Sequence, residues 1–98
     1  MTRVAALQIA SGTDVDANLA TCLRAIDAGS ARGAEVMVLP EFSNHISWYD
    51  DAGHAWRVAV DLEGEFLAAI AARSKRHGVH LVINVSLRRE KDAITVTS

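Results

Sequence analysis

The sequence predicts an α/β fold whose elements run in the order βαβ-loop-αββ. Three observations carry that expectation. Short apolar runs of strand length alternate with stretches whose apolar residues recur every three to four positions. Short turns join them, so strand-helix-strand units place parallel strands side by side through right-handed crossovers. No internal repeat or low-complexity linker divides the 98 residues, which make one domain at most.

The first run, Val4-Ala5-Ala6-Leu7-Gln8-Ile9-Ala10, is bounded by Ser11-Gly12 and suits a strand covered on both faces. Thr13 to Asp16 then offers capping side chains, with acids in the first turn to favour a helix's positive end. Leu19, Cys22, Leu23 and Ile26 continue at helical spacing, and Gly33 is a natural terminator. Glu35 to Leu39 is the second strand. The stretch from Phe42 to Leu62 lacks periodicity, is rich in polar and aromatic groups, and reads as a long loop of the kind that carries function. From about Glu63 a second helix is expected, with Phe66, Leu67, Ile70, Ala71 and Ser74 on its inner face and Gly78 at its end. His80 to Leu87 reads as a third strand and Ala93 to Thr97 as a fourth. The polar turn from Arg88 to Asp92 would let these two pair as a hairpin.

Composition narrows the function classes. Half of the residues are hydrophobic, enough for a small core. With 10 basic and 12 acidic residues and a net charge of −2, there is no electrostatic case for nucleic acid. Arg88, Arg89 and Lys91 cluster, but Glu90 and Asp92 interleave with them, as in a solvated turn. The lone cysteine, Cys22, excludes an internal disulfide and fits a reducing cytoplasm. No signal peptide and no run of 18 apolar residues is present, so a cytoplasmic protein without a membrane partner is expected.

The step Val36-Met37-Val38-Leu39-Pro40-Glu41 carries the chemistry. A buried-type strand ends in proline and a carboxylate follows, at the end of the strand where α/β folds place ligands. A carboxylate half withdrawn from water there can act as a general base. Position alone equally allows a solvated strand end. Cys22 shares a helical face with Leu19, Leu23 and Ile26, which suits a small buried hydrophobe better than a nucleophile. Lys75 falls at a helix end, where the dipole favours it, and Lys91 in the polar turn. His45, Asp50, Asp51 and His54 lie close in sequence but fit no metal-ligand spacing, so no metal is expected. Trp48, Tyr49 and Trp56 either line a pocket or pin the loop. His77 and His80 flank Gly78 with no role implied.

Taken together, these segments resemble the N-terminal part of the nitrilase superfamily of carbon–nitrogen hydrolases. Val4-Ala5-Ala6-Leu7-Gln8-Ile9 resembles its first strand, and Asp16-Ala17-Asn18-Leu19 the opening of its first helix. The stretch from Ala31 to Glu41 (Ala31-Arg32-Gly33-Ala34-Glu35, then the apolar run and Pro40-Glu41) resembles the family's pattern most closely. Leu67 to Val82 resembles the approach to its third strand. Two segments depart from the pattern: Ile83-Asn84-Val85-Ser86 stands where a glycine is common, and Ala93 to Thr97 lacks the usual asparagine segment.

The resemblance implies the first part of an α-β-β-α sandwich and a Glu-Lys-Cys mechanism without metal or organic cofactor. The base role falls on Glu41. The family's lysine and cysteine would lie beyond Ser98, and neither Lys91 nor Cys22 can stand in for them. Asn44, His45 and Trp48 follow the base on its loop and are candidates for substrate binding. The implied substrate is a small amide, nitrile-type or N-carbamoyl compound, hydrolysed at a non-peptide C–N bond by an amidase that can form homo-oligomers. Two alternatives remain: a truncated, inactive fragment or small α/β binding module with an exposed apolar sheet face, and a flavodoxin-like module with five parallel strands.

Overall fold

The computed structural model describes residues 1–90 and 93–98. Its elements are β1 (Val4–Ala6), α1 (Val15–Ala31), β2 (Val36–Val38), α2 (Ala52–Val58), α3 (Glu65–His77), β3 (His80–Val82), β4 (Val85–Arg88) and β5 (Ile94–Thr97). Strands β1, β2 and β3 form a parallel sheet with β2 in the centre. The pair β4 and β5 forms the antiparallel hairpin expected from the sequence. Three parallel strands and a separate hairpin rule out the five-stranded parallel sheet of a flavodoxin-like module.

Helix α1 starts where its caps predict. Asp14 Oδ1 accepts the Ala17 amide at 3.1 Å, and Asp16 lies in the first turn. The helix stops before Gly33, whose φ of 85° is open to glycine without strain. Helix α3 carries Lys75, Arg76 and His77 in its last turn and ends on Gly78 in the left-handed conformation.

Side chains alternate along a strand, so the register defines two unequal faces of the sheet. The row Ala5–Met37–Leu81 turns toward the helices. Met37 is fully buried there, in one core with Cys22 and Ile26 of α1 and Phe66 and Ile70 of α3. The opposite rows bring Val4 (66% exposed), Val38 (41%) and Val82 (46%) to the surface. This corrects the reading of the first strand as covered on both faces. A layer of α1 and α3 packs on one side only, and the other side is an exposed apolar face.

Other expectations are corrected in detail. The presumed loop from Phe42 to Leu62 contains α2, whose start is capped by Asp51 Oδ1 accepting the His54 amide at 2.7 Å. The single strand expected over His80 to Leu87 breaks into β3 and β4 at Ile83-Asn84, because Asn84 bonds to the loop after β2 instead of continuing a ladder. Ala71 lies on the exposed side of α3, the buried face being carried by Phe66 and Ile70. Lys91 and Asp92, the end of the expected polar turn, lie outside the described residues.

One tie between α1 and α3 has no counterpart in the sequence reading, which left His77 without a role. Asp27 accepts from His77 Nε2 at 2.7 Å through one oxygen and from Arg73 through the other. The His77 hydrogen bond first, and then that of Arg73, hold the Asp27 carboxyl below its ordinary value of 3.8. A carboxyl depressed on folding contributes stability that is complete above the unfolded value and is lost as pH falls through the folded one. Asp27 is 45% exposed, so solvent screens the clamp and its effect is modest. Melting temperature of the parent chain is therefore expected to fall faster than that of Asp27→Asn as pH drops from about 4 to about 2. Parallel curves for the two chains would contradict the clamp.

Candidate active site

The candidate site lies at the carboxyl end of the parallel sheet. Leu39 donates the last ladder bond, to Val82 O at 2.9 Å, and Pro40, which has no N–H, ends the pairing. Glu41 follows and is exposed. Its carboxylate makes no ion pair among the described residues. Phe42 then takes a φ of 52°. For a bulky side chain this left-handed conformation is an outlier that costs on the order of 1–2 kcal/mol.

Three bonds hold that turn. Ser43 Oγ donates to Pro40 O at 2.6 Å, the Phe42 amide donates to Asn84 Oδ1 at 3.0 Å, and the Ser43 amide donates to Asn84 O at 2.9 Å. The chain from Leu39 to Ser43 is thereby laced to the segment leaving β3.

Asn44 continues the lacing from a fully buried position. Its Nδ2 donates to Val58 O at 2.9 Å and to Ser86 Oγ at 2.8 Å, and its Oδ1 accepts the Ser86 amide at 3.0 Å. From the other side, Asn18 of α1 donates to Asn44 O at 2.8 Å and exchanges two bonds with Gly12. Gly12 O in turn accepts the Ile46 amide at 3.1 Å. The segments that leave β1, β2 and β3 are thus tied together beside Glu41. All of these buried polar groups are paired, as burial demands.

His45 is fully buried as well, stacked on Tyr49 with ring centroids 5.6 Å apart and met edge-on by His54 at 5.3 Å. Its Nδ1 lies 2.7 Å from Ile46 O, and a carbonyl only accepts, so Nδ1 carries a proton, while the buried Nε2 has no hydrogen-bond partner among the described residues. His54 Nδ1 accepts the Asp50 amide at 3.0 Å. Among the described residues no three His, Cys, Asp or Glu side chains come together as a metal set. Trp48 is the exposed member of this group, at 59%, and Tyr49 pins the loop through its stack on His45. Trp56 lies under the Arg88 guanidinium at 5.9 Å, far along the chain from Glu41.

Cys22 lies beneath the loop with no exposure, its sulfur 3.9 Å from Ser43 O. Burial pushes its thiol up to about 11, which makes it an inert core group. Lys75 stands at the end of α3, as its dipole preference predicts. Sequence reasoning named Glu41, Asn44, His45 and Trp48 but passed over Asn18, Asn84 and Ser86. The available signal was an Asn and a Ser inside an otherwise apolar run, Ile83-Asn84-Val85-Ser86, and an Asn on the inner face of a helix.

No helix among the described residues is long and apolar enough to cross a membrane. None of the curated protein sequences compared with the chain matches it. Among solved structures, the chain is similar to the NitFhit protein of C. elegans, with a TM-score of 0.71 at 17% identity. That likeness covers 93% of this chain and 22% of the NitFhit chain, so the 98 residues span about a fifth of the solved relative's length and share its local fold. The family model for carbon-nitrogen hydrolases matches residues 3–98. A match that begins at Arg3 and runs to Ser98 leaves almost none of the sequence outside it, and the chain belongs to the carbon–nitrogen hydrolase family.

Proposed function

We propose that this chain contributes the general base, Glu41, to an active site that hydrolyses a non-peptide C–N bond of a small amide or N-carbamoyl compound. The observation that supports it is the placement of Glu41 directly after the central parallel strand, on a turn laced to both neighbouring segments. In this reading Glu41 takes the proton of a cysteine thiol, and the thiolate attacks the carbonyl carbon while a lysine ammonium stabilises the charge that develops on oxygen. The C–N bond then breaks as Glu41 returns the proton to the departing amine, and water hydrolyses the thioester to release the acid and restore the thiol. The lysine and the cysteine come from outside these 98 residues. Cys22 is buried with its thiol pushed up to about 11, and Lys75 belongs to the far end of α3. Trp48 offers exposed surface to a substrate, while Asn44 and His45 hold the loop after Glu41 from beneath. No metal or organic cofactor takes part.

A second reading, a non-catalytic chain that keeps the first part of the fold, is favoured by the exposed face of Val4, Val38 and Val82. Groups that act as a unit lose most of their effect when one is missing. The purified 98-residue chain is therefore expected to show no turnover of small amides. Turnover that Glu41→Gln abolishes would show that the chain needs nothing further and would overturn both the external lysine and cysteine and the non-catalytic reading. An inactive chain that associates in solution would favour the second reading for the isolated polypeptide.

A further inference from the structure

We propose that Asn84 is a positioning residue for Glu41. Its side-chain carbonyl holds the Glu41–Phe42 peptide in the orientation that presents the base at the carboxyl end of the sheet. The inference rests on the reading of Glu41 as a base and deepens it.

Phe42 has a φ of 52°, and neither its bulk nor its position in the turn favours that conformation. Such outliers persist where the surroundings over-determine them. Here two of the three bonds that hold the turn come from Asn84, whose Oδ1 accepts the Phe42 amide at 3.0 Å and thereby orients the Glu41–Phe42 peptide. The peptide unit is planar, so fixing the direction of the Phe42 N–H also fixes the Glu41 carbonyl and the position of the Glu41 Cα from which the side chain departs.

The asparagine is itself oriented. Its Nδ2 donates to Ser98 Oγ at 3.1 Å, which leaves the carbonyl end to face Phe42, and its backbone oxygen accepts the Ser43 amide at 2.9 Å. One residue thus grips the peptides on both sides of Phe42. The cost to the fold is visible: the strand expected over His80 to Leu87 is interrupted at this point. An apolar residue at position 84 would keep the backbone bond to Ser43 and lose the hold on Phe42.

The test uses amide exchange in the 98-residue chain and kinetics in a domain where the remaining part of a family hydrolase supplies lysine and cysteine. In Asn84→Ala the Phe42 amide is expected to exchange about tenfold faster, the loss of one hydrogen bond. The Ser86 amide, held by Asn44, should stay within about twofold of the parent. Asn84→Asp keeps an acceptor and should restore the Phe42 protection. In the completed domain Asn84→Ala should lower kcat about 10- to 100-fold at nearly constant KM, the signature of a displaced catalytic group. An unchanged Phe42 amide overturns the proposal, as does an unchanged kcat beside an inactive Glu41→Gln. Should Asn84→Ala not fold, the Asn84→Asp chain decides, since a Phe42 amide exchanging freely there overturns the proposal too. A Glu41→Gln domain with full activity would sink the base reading itself, and the positioning role with it.

Discussion

Replacing Asn44 with alanine is expected to destabilise the chain by about 3 kcal/mol or more, each buried group left unpaired costing roughly 1–3 kcal/mol. The change strips partners from the Ser86 amide, Ser86 Oγ and Val58 O at once. Asn44 and Ser86 are both buried, so water cannot replace what is lost without opening the loop. A domain of ordinary stability has about 5–15 kcal/mol in total, which makes this one side chain a large share of it. Asn44→Asp should be little better. It keeps an acceptor for Ser86, but it sets a buried carboxylate oxygen against the Val58 carbonyl, two acceptors facing each other. Urea unfolding followed by tryptophan fluorescence measures both variants. A loss below about 1 kcal/mol for Asn44→Ala, the size of a typical net hydrogen bond, would mean that the lacing is not what holds the loop.

Glu41→Gln should do the reverse, sparing the fold and removing the chemistry. Glu41 is exposed and outside the core cluster, so stability should stay within about 0.5 kcal/mol of the parent. Glutamine keeps the shape and the polarity of the side chain but cannot take a proton from a thiol. Positioned bases contribute about 10²–10⁴-fold, and bases that also hold the nucleophile in its reactive form contribute more. The separation of the two effects follows from the architecture: Asn18, Asn44 and Asn84 secure the turn, and Glu41 only stands on it.

Much of this arrangement was legible in the amino-acid sequence because local chemistry decides it. Asp14 and Gly33 bound α1, Gly78 ends α3, and the apolar spacing of Cys22, Ile26, Phe66 and Ile70 selects the face that meets Met37. The Pro40 step placed Glu41 correctly at the end of β2 for the same reason, since a proline cannot continue a parallel ladder. Short α2 was missed because its seven residues carry no clear apolar stripe, and its start depends on one Asp51 cap. The open valine face was expected only in the alternative reading of a part-fold, because an apolar run reads alike whether one side of the sheet or both are covered. Least legible was the asparagine network. Its bonds from Asn18 to Asn44, from Phe42 to Asn84 and from Asn44 to Ser86 join segments more than 20 residues apart, and no periodicity records such pairs. Asn84 could be seen only as a departure from a familiar pattern, whereas in the fold it explains why the third strand breaks and how Phe42 is held in a conformation it would otherwise avoid.

The most direct test of Glu41 as the base is the ratio of kcat values for Glu41→Gln and the parent. It is measured on a small amide in a completed hydrolase domain containing these 98 residues, with both proteins matched in melting temperature. The expected result is a fall of roughly 10³-fold or more with KM nearly unchanged, as when a group that acts in the transition state is removed. A variant that keeps its activity within about tenfold of the parent, below the range of a positioned general base, would contradict it.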